Sequence, residues 1–317
     1  MNTPQKRANA DIMTGMKIAM TGATGFVGAE TLTQALVQGL HVNALTRRAQ
    51  PPRAKLKWVH GALDDARALD KMVRDTDAVI HIAGVVNAPD REGFEAGNVR
   101  GTIAVIDAMR RHGVRRLIHV SSLAAREPEL SDYGWSKAMA ERQVKASGLD
   151  WTIVRPPAIY GPADREMLDL FRMAKSGLLL LPPEGRMSVI EVSDLARLLL
   201  ILAQESEFSL AETYEVDDGT EDGWTHQDFG RAIGRAAGRS VRPLATPRWL
   251  LDLGAITDRI VRRDKAKLTR DRVSYFCHPD WVVQKAMQPP ERLWTPQVPT
   301  DQGLRATVEA YRSKGWL

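Results

Sequence analysis

A phenol, an ammonium and a hydroxyl stand at spacings that suit proton transfer. Tyr133 and Lys137 are four residues apart in Tyr133-Gly134-Trp135-Ser136-Lys137. On a helix this spacing puts both side chains on one face. A lysine beside a tyrosine favours the phenolate and lowers the phenol pKa. Such a tyrosine serves as proton donor to a carbonyl, or as acceptor from an alcohol. Ser122 closes the apolar run Leu117–Val120 and Ser121, where its hydroxyl is placed to bind the same substrate oxygen. A Tyr-x-x-x-Lys pattern recurs by coincidence, and its weight here comes from what precedes it in the chain.

A glycine-rich turn supplies the other half of the chemistry. Thr21-Gly22-Ala23-Thr24-Gly25-Phe26-Val27-Gly28 follows a short apolar strand and opens a helix. Gly22 permits the tight turn, Gly25 lets the backbone approach a pyrophosphate, and Gly28 lets helix and sheet pack closely. The helix amino terminus then offers free N–H groups to phosphates. Arg47 and Arg48 sit just after the second strand. An Asp or Glu there would bind the ribose hydroxyls of NAD, whereas arginine favours the 2′-phosphate of NADP. NADP(H) is therefore expected in preference to NAD(H). Asp64, after the third strand, is placed either to contact the adenine amino group or to cap the following helix.

These residues need a scaffold, and the hydrophobic pattern describes one. Strand-like segments are Lys17–Thr21, His41–Leu45, Leu56–Val59, Ala78–Ala83, Leu117–Val120 and Trp151–Arg155. Helical segments alternate with them at Gly28–Gln38, Asp64–Val73, Asn98–His112 and Ser136–Ser147. This alternation predicts an α/β fold: a Rossmann-type, doubly wound parallel sheet with ligands beyond the carboxyl ends of its strands. The pattern loosens after Pro162. A flexible segment over residues 1–15, a dinucleotide-binding domain over 16–162 and a smaller, interleaved C-terminal substrate lobe over 163–317 are expected.

The ordered motifs resemble the extended short-chain dehydrogenases/reductases. That group contains nucleotide-sugar epimerases, dihydroflavonol-type reductases and 3β-hydroxysteroid-type dehydrogenases. The resemblance is carried by Thr21–Gly28, His81–Gly84, Asn98–Thr102, Val120–Ser122, Tyr133–Lys137 and Arg155–Pro162, with Ile190–Ala196 downstream. It implies that Tyr133 is the acid/base, that Lys137 binds the nicotinamide ribose and supports Tyr133, and that Ser122 polarises the substrate oxygen. It also implies that Ala83 and Gly84 line the cofactor and that Asn98 lies near the active site. Pro156–Ile159, including Ile159 itself, would border the nicotinamide. Leu45–Arg48 is most similar to the NADP-using reductase branch. Only Leu123–Asp132 separates Ser122 from Tyr133, which is shorter than in many epimerases. No clear diphosphate-binding constellation follows, with Arg186 the one candidate.

Composition restricts the alternatives. The chain has 317 residues, of which 44% are hydrophobic and 26% charged, as in ordinary soluble globular proteins. The net charge is +5, yet no basic run interleaves with stacking aromatics, so nucleic acid is not an expected partner. Cys277 is the single cysteine, which excludes an intrachain disulfide and a cysteine-rich metal site. The first fifteen residues lack an apolar core, so no signal peptide is expected and a cytoplasmic location is. Of His81, His119 and His226, which are the histidines that could be read as ligands or catalysts, His81 and His119 lie on expected strands and read as structural. In Pro247–Arg263, Trp249, Leu253, Ile256 and Ile260 form an apolar stripe flanked by arginines. It is either a core or dimer helix, or an interfacial helix on the inner face of a membrane.

The expectation is thus an NADP(H)-dependent reductase of a ketone, or dehydrogenase of the matching alcohol. The absent sugar features and the amphipathic helix point to an apolar, lipid-like small molecule, of the sterol or keto-sphingoid type. A nucleotide-sugar epimerase and a non-catalytic NADP(H)-binding regulatory protein stay open at this point.

Overall fold

The strand Lys17–Thr21, β1, alternates in a way that decides the architecture. Ile18 and Met20 belong to one apolar cluster and Ala19 to another, and all three are fully buried. A strand buried on both faces needs helices on both faces. The computed structural model describes residues 15–204, 208–263 and 268–317 and supplies those helices. The expected flexible segment 1–15 lies, but for Gly15, outside the described residues.

After β1 come α1 (Phe26–Val37), β2 (His41–Thr46), β3 (Leu56–His60), α2 (Ala66–Val73), β4 (Ala78–His81), α3 (Gly101–His112), β5 (Arg116–Val120), α4 (Asp132–Lys145) and β6 (Asp150–Arg155). The chain continues through β7 (Ala158–Tyr160), α5 (Leu168–Ser176), β8 (Leu178–Leu181), β9 (Arg186–Met187), β10 (Val189–Glu191), α6 (Val192–Gln204) and β11 (Glu212–Glu215). It ends with β12 (Trp224–Thr225), α7 (His226–Ala237), β13 (Arg242–Ala245), α8 (Arg248–Arg262), α9 (Arg270–Phe276), β14 (Asp280–Trp281) and α10 (Thr300–Ser313).

Seven strands form one parallel sheet in the order β11-β6-β5-β4-β1-β2-β3. One face packs Leu69, Val105, Met109 and Val144 from α2, α3 and α4. The other packs Leu32 and Leu198 from α1 and α6. The strand order reverses between β1 and β4, which opens a crevice at their carboxyl ends. The glycine turn after β1 and Ala83–Gly84 after β4 meet there.

The second half of the chain is not set apart. Its α6 packs on α1, and its β11 pairs with β6 at the edge of the main sheet. The remainder builds a further core in which Tyr160, Phe171, Leu179, Phe229, Leu304 and Tyr311 are buried together. Several elements differ from expectation. The fourth strand stops at His81, which frees Ile82–Gly84 to turn. A π-helical turn, Glu95–Arg100, precedes α3. The leucine run of β8 is only half core: Leu179 and Leu181 are buried, whereas Leu178 and Leu180 face out. Among the described residues, no helix is long and apolar enough to cross a membrane.

Candidate active site

The glycine turn is shaped by close approach. Gly22 has φ +75°, and a Cβ on it would meet Ala83 N at 2.7 Å. A Cβ on Gly28 would stand 2.0 Å from the Gly22 carbonyl oxygen, so no side chain fits. Gly25 is the N-cap of α1 and no side chain caps that helix. Its first N–H groups are therefore left for an anion. Gly22, Thr24, Gly25, Phe26, Val27 and Gly28 all line a cavity of about 1330 Å³ at the crevice. A dinucleotide pyrophosphate fits this donor set.

Arg47 and Asp64 also line the cavity, and both are solvent-exposed. The helix cap expected as one role for Asp64 falls instead to Asp65, whose carboxylate accepts from Ala68 N at 3.0 Å. Asp64 is thereby left facing the cavity. Arg48 does not line it: the chain turns there, Thr46 Oγ1 accepting from Arg48 N and donating to Arg48 O.

At the carboxyl ends of β4 and β5 the expected proton-transfer residues converge. Ser122, Tyr133, Ala83, Gly84 and Ile159 line the same cavity. The Ser122 hydroxyl stands close enough to the Tyr133 phenol to lower its pKa, and Ser122 Oγ accepts from Ala124 N at 3.2 Å. The neighbouring Ser121 points elsewhere and donates to Glu141 Oε1 at 2.6 Å. Ser131 caps α4, accepting from Gly134 N, and so places Tyr133 in the first turn. Lys137, one turn on, is buried and donates from Nζ to the Val120 carbonyl at 2.8 Å. It does not itself line the cavity, but its Nζ would lie 3.7 Å from a Cβ on Gly84.

The electrostatics differ from the simple expectation. Desolvation raises the Tyr133 pKa above its ordinary value, and the Ser122 hydrogen bond and the Arg272 charge only partly offset it. The expected lowering by Lys137 is not the controlling effect. Burial lowers the Lys137 pKa to about 8, against the pull of Glu141. The phenol is consequently the protonated partner at neutral pH, ready to donate. His81 and His119 are buried beneath the site and stay neutral: burial, then the Lys137 charge, holds His81 down at about 3 and His119 well below its usual value. His81 is hydrogen-bonded to the Thr21 and Thr102 hydroxyls.

Three more expected cofactor residues stand behind the cavity wall. Asn98 is buried, with Oδ1 accepting from Val85 N at 2.6 Å and Nδ2 donating to Val85 O and Ser136 Oγ. Its amide is used up clamping the Gly84–Val85 loop to α4. Ala23 is buried inside the glycine turn. Pro156 contributes its carbonyl to Leu123 N at 3.0 Å, while Pro157, Ala158 and Ile159 line the cavity.

Sequence reasoning missed the contribution of α9. Arg272, Tyr275 and Phe276 line the cavity, and the Tyr275 ring lies 5.9 Å from the Tyr133 ring. Asp271 accepts from the Asp132 and Tyr133 backbone N–H groups at 2.5 and 3.5 Å, tying α9 to the start of α4. The signal was the i, i+3, i+4 spacing of Arg272, Tyr275 and Phe276, which shares one helical face. Leu170, Leu181, Met187, Phe229 and Trp281 also line the cavity, together with Asp164, Glu166, Ser188 and His226. Arg186, the candidate diphosphate ligand, is absent from its lining and donates to the Asp222 and Gly223 carbonyls.

A site that offers anion-binding N–H groups beside a protonated tyrosine and a neighbouring serine defines a nicotinamide-dependent oxidoreductase. A family model described as NAD(P)H-binding matches residues 22–200, from the glycine turn into α6. The chain belongs to the extended short-chain dehydrogenase/reductase family and is an NAD(P)-dependent enzyme. It is 35% identical to the ceramide reductase of Caulobacter vibrioides, over 95% of this chain and 96% of that one. It is 28% identical to the 2-alkyl-3-oxoalkanoate reductase of Stenotrophomonas maltophilia, over 92% and 98% of the two chains. Among solved structures, MoeE5 in complex with UDP-glucose and NAD superposes with a TM-score of 0.71, covering 95% of this chain and 99% of that one. At 20% identity that likeness is one of fold.

Proposed function

We propose that this enzyme reduces a ketone on an apolar, lipid-like substrate, of the keto-sphingoid or ceramide type, with NADP(H) preferred. The observation that carries the reading is the number of apolar side chains that the second half of the chain adds to the cavity lining, Leu170, Leu181, Met187, Phe229 and Phe276 among them, interspersed with Asp164, Glu166, His226 and Arg272. The arginines nearby are engaged: Arg272 with Glu166 at 2.5 Å, and Arg186 with two carbonyls. A sugar diphosphate would have to compete for them. The relatives named for ceramide and 2-alkyl-3-oxoalkanoate reduction support the same direction. Contact of residues 247–263 with the inner face of a membrane belongs to this reading, since a lipid-like substrate resides there.

In this reading the N–H groups of Phe26–Gly28 hold the pyrophosphate, Arg47 the 2′-phosphate, and Asp64 the adenine amino group. Ala83 and Gly84 border the ribose side, Lys137 the nicotinamide ribose, and Pro157–Ile159 the nicotinamide. A bound nicotinamide supplies the hydride. Tyr133 gives its proton to the ketone oxygen, because desolvation keeps the phenol protonated. Ser122 shares that oxygen through its hydroxyl. Lys137 keeps its ammonium against the Val120 carbonyl and beside Gly84. Such general acid catalysis contributes about 10²–10⁴-fold.

The test is to incubate the purified enzyme with NADPH and a 3-keto-ceramide, and in parallel with UDP-glucose and NAD, and to analyse products by mass spectrometry. Alcohol formation from the keto-ceramide, lost in Tyr133→Phe, is the expected result. Conversion of the UDP-sugar with none of the ketone would replace this reading with the epimerase one.

A further inference from the structure

Helix α8 keeps its apolar stripe on the outside. Of its residues only Ala255 is buried, while Trp249, Leu253, Ile256, Ile260 and Val261 are exposed, Trp249 by 67% and Ile260 and Val261 by 74%. At 100° per residue these side chains share one side of the helix. The opposite side already has its partner. Asp258 accepts from Leu268 N at 2.9 Å, Arg248 reaches Ser274 Oγ at 3.3 Å, and a Cβ on Gly254 would touch Leu268. Core packing therefore does not explain the stripe.

Three further observations say what covers it. Further apolar side chains are exposed nearby in the chain: β13, which ends two residues before α8, pairs with β8, and Leu178, Leu180 and Leu244 of the pair are exposed. Next, Arg248, Arg259, Arg262 and Arg263 are exposed; the helical period sets Arg248 and Arg259 along one edge of the stripe, whereas Arg262 turns towards Asp258 on the packed side and Arg263 caps the helix. Asp252 and Asp258 pair with only two of them, Arg248 at 3.9 Å and Arg262 at 3.2 Å. An apolar face with a cationic edge complements an anionic lipid headgroup layer. Finally, α8 packs on α9, whose Phe276 is 38% exposed and also lines the cavity.

We infer that α8 and the outer face of β8–β13 rest on an anionic bilayer surface, and that substrate passes from it by Phe276 to Tyr133. The inference rests on the apolar-substrate reading above for what travels, and on surface geometry alone for the docking. The basic edge lies level with the headgroups, and the apolar side chains lie beneath them.

The test is co-sedimentation of the full chain with vesicles of phosphatidylcholine alone or with one-third phosphatidylglycerol. Melting temperature and NADPH affinity are measured alongside. Binding is expected to favour the anionic vesicles and to weaken in high salt. Each cation lost near such a surface weakens binding about fivefold, so the charge reversal Arg259→Glu should reduce it by more than about fivefold. Trp249→Ser with Leu253→Ser should reduce binding to both vesicle types by about tenfold or more, with melting temperature and NADPH affinity unchanged. Three results would overturn the docking: no vesicle binding by the wild type at low salt, a melting temperature lowered by the Trp249/Leu253 change, or a dimer in ultracentrifugation that this change abolishes. Ketone turnover with no vesicle binding removes only this inference. Vesicle binding with no ketone turnover removes only the proposed activity.

Discussion

Replacing Lys137 with methionine keeps most of the buried volume and removes the ammonium. Burial lowers the Lys137 pKa from 10.5 to about 8. At pH 7 the side chain is charged in both the folded and the unfolded chain. Keeping that charge inside costs about 3 kcal/mol, the pKa difference converted at about 1.4 kcal/mol per unit. Between about pH 8 and 10.5 the unfolded chain binds a proton that the folded chain has released, so Lys137 makes stability rise with pH across that window. Methionine does not titrate. Relative to Lys137→Met, the wild type should therefore gain about 2.5 kcal/mol between pH 7 and 10. Loss of the Nζ bond to the Val120 carbonyl adds an offset of about 1–3 kcal/mol against the variant. Urea denaturation of both proteins at pH 7, 8, 9 and 10 measures the difference and cancels the lysines and tyrosines they share. A difference that stays flat or falls with pH would refute the reasoning, because it would mean that the Lys137 charge is not desolvated. The same depressed pKa predicts that turnover declines as pH rises through about 8 in the free enzyme.

Tyr133→Phe should leave cofactor affinity nearly intact and lower kcat by about 10²–10⁴-fold, and near-normal kcat on the true substrate would remove Tyr133 from the chemistry. Arg47→Asp should weaken NADPH by about ten- to a hundredfold and NADH much less, measured by cofactor fluorescence titration; equal losses would show that Arg47 does not read the 2′-phosphate. Gly28→Ala forces a Cβ to within 2.0 Å of the Gly22 carbonyl, so it should lower the melting temperature and weaken both cofactors together. Unchanged NADPH and NADH affinities in that variant would mean that the turn opens without cost.

What was legible in the chain was what local pattern determines. The strands of the parallel sheet are short apolar runs that end in turns, and their positions follow from the runs themselves. Ser122 and Tyr133 come together because each sits at the end or start of a regular element at the same edge of the sheet. The misreadings share a cause, which is that burial is not a local property. The Tyr133–Lys137 spacing is visible, but the desolvation that raises the Tyr133 pKa is not. Asn98 is expected near the active site and lies there, but that its amide is bonded to Val85 and Ser136 is not visible in the chain. Asp64 and Asp65 are equal as caps until the backbone is placed, and the cap falls to Asp65.

The C-terminal half shows where pattern stops being informative. Asp271 is bonded to residues more than a hundred positions earlier, and Tyr275 meets Tyr133 across the same gap. No periodicity within Arg270–Phe276 names that partner. The stripe of α8 is the sharper case, because its period is unmistakable and its usual meaning, a core-facing side, is not what the structure has. The helix carries Gly254 and Ala255 on its other side, and small side chains allow a neighbouring segment to approach closely. That side is taken by α9 and Leu268. Once the small-residue side is packed, the larger side chains must face outward. A hydrophobic period therefore identifies which residues share a face, and the distribution of small residues helps to decide which face the protein keeps for itself.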